Sequence, residues 1–167
     1  GKMKDGSYMK EETVLSGVPI YFDAIIDPLK AFKTASSYAS SLYSTDWGVR
    51  ILPETSKGFN PKSYHSGMVW PLFSGWASLA EYKTGNYVSG YTHIMNNLLM
   101  YRYWNLGSIE ETLDGEIFNP AGVSSQQAWS GSMVLHPISE GMLGIKPEAL
   151  SKRISLSPSF PWHWKEV

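Results

Sequence analysis

Four stretches of the chain carry apolar residues at the three- and four-residue spacing of a helix that packs one face against a core. They cover residues 27–42, 67–82, 87–104 and 124–143. Asp27 followed by Pro28 is a typical helix start, and Pro137 predicts a bend in the last helix. This pattern predicts an all-α fold.

The loops between these helices alternate in length. Residues 84–86 predict a tight turn, whereas residues 44–66 and 105–123 form long loops. Loops longer than about 12 to 15 residues in a compact domain usually carry function. Stacked helical hairpins produce this alternation, with the long loops together at one end. We therefore expect the polar motifs of these loops to meet at that end.

The pattern changes after Leu150. Ile154 and Leu156 alternate with polar residues and predict a short strand over residues 153–157, with no obvious partner in the chain. We divide the chain into a helical unit, residues 1–146, and the start of a β segment, residues 147–167. Because four helices and one strand cannot close a ring of hairpins, we expect the chain to be a portion of a longer protein.

Composition excludes several functional classes. The 167 residues include 14 Lys and Arg against 15 Asp and Glu, so no basic surplus exists for nucleic acid or an anionic membrane. No apolar run approaches the ~20 residues of a transmembrane helix. Cysteine is absent, which excludes disulfides, thiolate metal sites and a cysteine nucleophile and leaves the redox compartment open. Neither nucleotide-binding motifs nor clustered histidines occur, so we expect no cofactor and no metal.

The content of aromatic residues is unusually high, with 7 Trp, 10 Tyr and 6 Phe. Their rings bury a large area each, so most are expected in the core. Indole rings also stack on the apolar faces of sugars, and several tryptophans here neighbour polar residues. The same rings therefore fit a core or a carbohydrate cleft.

Four polar motifs are candidates for a functional site: TDWGVR at 45–50, NPKSYHSGMVWP at 60–71, EETLDGE at 110–116 and QQAWS at 126–130. In this order they resemble the C-terminal half of the catalytic domain of bacterial glycogen debranching enzymes and related six-hairpin glycosidases. GIKPEAL and LSPSFPWHW near the C-terminus extend the resemblance over about residues 13–164. It implies an (α/α)6 toroid, of which this chain holds the C-terminal hairpins, and hydrolysis of α-glucosidic bonds with inversion.

The resemblance also implies a role for one carboxylate. An inverting glycosidase uses one carboxylic acid to protonate the leaving oxygen and one carboxylate to activate water, about 6.5 to 9.5 Å apart. Glu111 matches the family's general base. In the family the general acid lies earlier in the chain, in a segment resembling Trp-Met-Asp, and no such segment occurs here. Asp46 is a weaker candidate for the acid, since the stretch with Asp46 and Trp47 resembles the part of the family's pocket wall that contacts substrate. Alternatively the acidic motif is a solvated loop or a hard-cation site, and we expect Glu110 and Glu116 to be solvated.

Further residues are expected around the glucose site: Tyr64, His65, Trp70, Gln127 and Trp129. In the family the histidine of this motif resembles a ligand of a sugar hydroxyl, although a lone histidine near a helix start is often structural. Trp70 and Trp129 fit a core wedge as well as a pocket wall. Arg50 is expected to brace a loop.

The main hypothesis is the C-terminal part of an inverting α-glucosidase of the debranching (amylo-α-1,6-glucosidase) type, inactive alone because it lacks the acid. One alternative is a carbohydrate-binding helical module without catalysis. Another is a six-hairpin glycosidase for a different sugar, such as trehalose or a rhamnoside. The expected partners are a carbohydrate and, through the uncovered flanks of an incomplete ring, a second copy or the rest of the parent chain.

Overall fold

The computed structural model describes residues 2–8, 10–104 and 106–164. These residues form a mainly helical fold with two small antiparallel sheets. The helices are α1 (Gly17–Tyr21), α2 (Pro28–Ser37), α3 (Pro71–Thr84), α4 (Tyr87–Leu99) and α5 (Ala128–His136). The strands are β1 (Ser44–Thr45), β2 (Gly48–Val49), β3 (Lys146–Glu148) and β4 (Arg153–Ser155).

Helices α3 and α4 form the predicted tight hairpin. Pro71 occupies the first turn of α3, where its missing N–H costs no helical hydrogen bond. Gly85 ends α3 at φ +87°, a left-handed conformation that glycine adopts without a Cβ penalty. The side chain of the buried Asn97 in α4 then donates to the carbonyls of Pro71, at 2.8 Å, and of Met133, at 3.2 Å. One amide thus joins α3, α4 and α5.

Three helices are shorter than their apolar stripes predict. Helix α2 ends at Ser37, because residues 38–43 turn so that Tyr38 and Tyr43 both enter the core with their rings 5.6 Å apart. Helix α4 ends at Leu99 and is followed by a 3-10 turn, Met100–Arg102. Helix α5 passes at Pro137 into a π-helical turn, Pro137–Met142, where proline has no N–H to donate. Apolar spacing therefore predicted where helices form, but it extended them too far and also marked residues that are exposed, such as Leu29 at 58% and Phe32 at 45%.

The N-terminal part of the helical layer was not predicted. A 3-10 turn, Val14–Ser16, leads directly into α1, and both Val14 and Ile20 are buried. Thr13 caps the turn by accepting the backbone N–H of Leu15. The segment is too short to show a helical repeat, so its packing against α3 depends on the tertiary structure.

The prediction of a lone C-terminal strand is wrong. Strand β4 pairs antiparallel with β3, and Pro147 faces Ile154 in the register. The boundary placed after residue 146 therefore cuts β3. Proline in a strand usually argues against pairing, but an edge position in a two-stranded sheet tolerates it. Gly1 and residues 165–167, which the predicted division included, lie outside the described residues.

The long loops cover a buried cluster of their own. Val69, Ile109 and Leu113 from the loops pack with Met100 and Val134 from the helical layer. Asn105, the first residue of the second predicted long loop, lies outside the described residues. Apolar burial thus anchors both long loops at the same end of the α3–α4 hairpin. Among the described residues, no helix has both the length and the apolar character needed to cross a membrane.

Candidate functional site

A chain of single β-bridges gathers three of the four polar motifs. Val69 pairs with Arg50 on one side and with Leu113 on the other, and Leu113 also pairs with Pro120. The bond from Val69 N to Leu113 O measures 3.0 Å, and the reverse bond measures 2.9 Å. The residues just before Pro71 are extended because Val69 takes part in these bridges. Helix α3 therefore begins at Pro71, and the predicted start at residue 67 is too early. The bridges bring motifs from distant parts of the chain to one end of the fold, as the alternation of short and long loops predicted.

The fourth motif joins the same end through backbone hydrogen bonds. Gln127 N donates to Ile109 O at 3.1 Å, and Glu111 N donates to Ser124 O at 2.9 Å. The segment that carries Glu111 is therefore held between the start of α5 and residue 69. All four motifs meet, which agrees with the expectation from the hairpin pattern.

Gly115 allows the second and third motifs to approach each other closely. Its N–H donates to Pro61 O at 2.9 Å, and a Cβ at this position would overlap the carbonyl oxygen of Gly67. Glycine is thus required by backbone contact, not by an unusual φ. The glycine of EETLDGE therefore allows the two loops to pack closely against each other.

Glu111 is a buried carboxylate with a defined partner. Its side chain is 6% exposed, and the Tyr64 hydroxyl donates to Oε1 at 2.6 Å. This hydrogen bond to a carboxylate raises the pKa of Tyr64 to about 12, so Tyr64 keeps its proton at neutral pH. The structure therefore brings together two residues that were predicted separately, as base and as substrate ligand.

The rings beside Glu111 form one contiguous group around Trp70. The Trp70 ring centroid lies 4.3 Å from that of Tyr64, 6.1 Å from that of His65 and 6.5 Å from that of Trp129. Trp70 itself is buried, and its indole N–H donates to Tyr64 O at 2.8 Å. His65 is exposed and the Trp129 side chain is 41% exposed. Trp70 is thus the core wedge of the group, while His65 and Trp129 face solvent.

Gln127 lies at the start of α5 as a helix cap. Its Oε1 accepts the N–H of Ala128 at 3.0 Å. A cavity of about 480 Å³ is lined by Gln127 together with Ile109, Tyr101 and Leu98, among others. Neither Glu111 nor the Trp70 group lines this cavity, so the structure places the Gln127 side chain in a different cavity from these predicted partners.

Asp46 and Trp47 occupy the turn between β1 and β2. Asp46 is exposed, and its backbone oxygen accepts the side-chain amide of Asn96 at 2.7 Å. The Trp47 indole donates to Asp114 O at 2.9 Å, and its ring lies 5.6 Å from that of Phe118. Trp47 thus belongs to a second aromatic cluster, which lies with the Val69 and Leu113 core rather than in the Trp70 group.

The second aromatic cluster was not predicted from the sequence. Its rings other than Trp47 come from Tyr103, Trp104 and Phe118, with Trp104 and Phe118 4.7 Å apart. The three aromatic residues at 101–104 are the sequence signal for this cluster, but apolar spacing predicts that they end a helix. The chain turns after Leu99, so these rings meet Phe118 instead of continuing a helical stripe.

Arg50 braces the loops, as expected. Its Nε donates to Gly115 O at 2.7 Å, and its Nη1 donates to the carbonyls of Ser41 and Leu42. The guanidinium thus joins the residues before β1 to the loop that carries Glu111. A buried arginine whose donors point at carbonyls holds backbone rather than substrate.

The expectation that Glu110 is solvated is wrong, because its side chain is only 5% exposed. The segment from Ile109 to Leu113 is buried on both sides by residue 69 and the start of α5, so two adjacent carboxyl groups are covered. Glu116 is exposed, as expected. Within the described ranges, no three His, Asp or Glu side chains come together as a group that could hold a metal ion.

Comparison of the chain with protein-family models and with curated proteins finds no match.

Proposed function

We propose that the chain is the C-terminal part of an inverting glycoside hydrolase that acts on α-glucosidic bonds, of the glycogen-debranching (amylo-α-1,6-glucosidase) type. Its helical hairpins belong to an (α/α)6 toroid, with the gathered motifs at the substrate end. The observation that carries the proposal is the buried Glu111 carboxylate, held by the Tyr64 hydroxyl at 2.6 Å next to the Trp70 ring group.

Glu111 acts in this proposal as the general base. Tyr64 holds Oε1, which leaves Oε2 to accept a proton from the attacking water. A fixed carboxylate orients that water toward one face of the sugar, as inversion requires. Tyr64 is then a positioning residue, because it acts through the carboxylate.

The general acid is placed outside the gathered motifs of this chain. Asp46 is exposed at the β1–β2 turn, and the contact from Asn96 goes to its backbone oxygen. The carboxyl group that acts as general acid in such enzymes is commonly buried, which Asp46 is not. We therefore assign the acid to the remaining hairpins of the toroid.

The exposed rings favour a second candidate function, a carbohydrate-binding helical module without catalysis. Trp129 and His65 present partly free faces beside the buried Trp70. Stacking on a sugar needs such faces but needs no carboxylate pair. This module and the glycosidase share the sugar-binding surface and differ in what Glu111 does.

Oligosaccharide binding tests the surface that both functions share. We expect maltotriose to bind the chain, measured by titration calorimetry, and Trp129→Ala to weaken binding by about tenfold, the loss of roughly 1.4 kcal/mol of ring contact. Trehalose and a rhamnoside titrated in parallel distinguish an α-glucan site from a site for another sugar.

Trp162→Ala is the matched control for this titration, because Trp162 is 89% exposed in the C-terminal segment. Its removal should leave maltotriose affinity unchanged. Absence of binding by all three sugars, or equal losses in the two tryptophan variants, would contradict the proposed site.

Association through α2 is a further expectation of an incomplete ring. Leu29 and Phe32 of α2 are 58% and 45% exposed, and Ile26 just before the helix is 94% exposed. Exposed apolar area of this kind favours self-association or docking on the rest of the toroid. We expect light scattering to give a mass above that of one chain, and Leu29→Glu with Phe32→Glu to reduce it to one chain.

Lys57→Glu changes the net charge by the same amount as that double substitution, on an exposed loop residue. It should leave the associated state intact. A monomeric unmodified chain at all concentrations would show that α2 needs no partner.

A further inference from the structure

A chain of three polar side chains lies away from the Trp70 group and from Glu111. Ser44 Oγ lies 3.2 Å from His93 Nε2, and His93 Nδ1 lies 2.7 Å from Glu81 Oε2. Glu81 and His93 face each other across the α3–α4 hairpin, and Ser44 begins β1. One imidazole therefore joins a hydroxyl to a carboxylate through its two nitrogens.

Proton placement sets the direction of both hydrogen bonds. Glu81 is fully buried and His93 is 1% exposed. With an ionised Glu81, which only accepts hydrogen bonds, His93 Nδ1 donates its proton to Oε2, and Nε2 accepts from the Ser44 hydroxyl. The same hydroxyl also lies 3.5 Å from Thr45 O. The hydrogen bond to Nε2 is the arrangement in which a histidine can remove a serine proton.

A cavity gives the serine access to a small molecule. It measures about 460 Å³ and is lined by Ser44 and His93, together with Ala39, Val88 and Thr92 among others. Ligand cavities fall in the range of about 300 to 1,000 Å³. The lining mixes small apolar groups with the uncharged polar side chains of Asn86, Ser89 and Thr92 and holds no Asp, Glu, Lys or Arg, so it suits a small uncharged ester better than an ion.

The first turn of α4 borders the same cavity through Tyr87, Val88 and Ser89. The first backbone N–H groups of a helix have no acceptor within the helix. Such groups stabilise a negative oxygen that develops during acyl transfer. The cavity therefore brings together a nucleophile, its base and a source of oxyanion donors, while the orienting Glu81 carboxyl contacts His93 from outside the cavity lining.

The geometry points to a second reactive centre, in which Ser44 is the nucleophile, His93 the general base and Glu81 the orienting group for hydrolysis of a short-chain ester. Ser44 Oγ bonds to the ester carbonyl carbon while its proton passes to His93 Nε2. The bond from that carbon to the alkoxy oxygen then breaks, and His93 returns the proton to the leaving alcohol. Water, deprotonated in turn by His93, attacks the acyl-serine, releases the carboxylic acid and restores the Ser44 hydroxyl.

This centre shares no residue with the proposed glycosidase site, so the two proposals can fail separately. Covalent labelling of the 167-residue chain by a fluorophosphonate tests it directly, because this reagent phosphonylates serines that a neighbouring base activates. We expect mass spectrometry to locate the adduct on Ser44. Ser44→Ala should abolish labelling, and His93→Gln should lower its rate by about a hundredfold or more.

Ser151→Ala is the matched control, because Ser151 is an exposed serine outside the cavity whose hydroxyl donates to Glu148 O at 3.1 Å. Ser151→Ala should label at the unmodified rate. Hydrolysis of p-nitrophenyl acetate gives a second readout, which Ser44→Ala should reduce to the uncatalysed rate. An unlabelled Ser44 in the folded unmodified chain, or equal ester hydrolysis by Ser44→Ala, would overturn the proposal even if His93→Gln failed to fold.

Discussion

Replacing Glu111 with glutamine is expected to lower the rate of α-glucan hydrolysis by about a thousandfold or more. The amide keeps the size of the side chain and still accepts the Tyr64 hydrogen bond, but it cannot take a proton from water. The lost interaction belongs mainly to the transition state, so substrate affinity should change little. The measurement is glucose release by the complete parent protein, which contains both the general acid and the general base. The isolated 167-residue chain contains only the proposed base, so we expect it to be inactive.

Two variants separate the chemistry of Glu111 from the shape of its loop. Glu116→Gln removes an exposed carboxylate from the same motif and should leave the rate unchanged. Tyr64→Phe removes the 2.6 Å hydrogen bond but keeps the carboxylate, and we expect a loss of about tenfold, the value of one charge-assisted bond. Near-normal turnover by Glu111→Gln would leave the carbohydrate-binding module as the better assignment.

Replacing His93 with leucine is expected to lower the free energy of unfolding by about 1 to 3 kcal/mol, the cost of leaving a buried polar group without its hydrogen-bond partner. Burial raises the pKa of Glu81, and the His93 imidazole 2.7 Å away opposes that shift. Without His93 the buried carboxyl loses the main interactions that offset its desolvation, and only the weaker hydrogen bond with Ser89 remains among those that lower its pKa. Urea unfolding followed by circular dichroism measures the loss.

The double variant Glu81→Met with His93→Leu is the control for this effect. It removes both polar groups and fills the space with apolar atoms of similar size, so much of the lost stability should return. If the single variant loses less than about 1 kcal/mol, in the range of an exposed ion pair, then the pair does not behave as a buried one.

The helix boundaries that local chemistry controls could be predicted from the sequence. Asp27 before Pro28 predicted the start of α2, and the Asp27 carboxylate does accept the N–H groups of Leu29 and Lys30. Gly85 predicted the end of α3 for an equally local reason, its φ of +87°. Where burial overrides local preference, as at residues 38–43 after α2, the prediction extended the helix too far.

That the four motifs lie close together could be predicted only from the alternation of short and long loops. Alternating short and long loops indicated that the motifs lie at one end, but not that Val69 pairs with both Arg50 and Leu113. Nor did spacing show that Tyr64 bonds to Glu111, since each residue was assigned by its own motif. The burial of Glu110 has the same origin, because it depends on which segments cover residues 109–113.

By itself the sequence determined the mainly helical class and the tight turn at Gly85, because propensities, caps and apolar spacing act between neighbours in the chain. Only the tertiary structure decided which polar groups meet: Tyr64 with Glu111, and Ser44 with His93 and Glu81. Those contacts join residues far apart in the chain, and they form because burying each polar group requires a hydrogen-bonding partner. One sequence pattern permits many such pairings, and the packing of α3 against α4 and of the loops against Val69 selects among them.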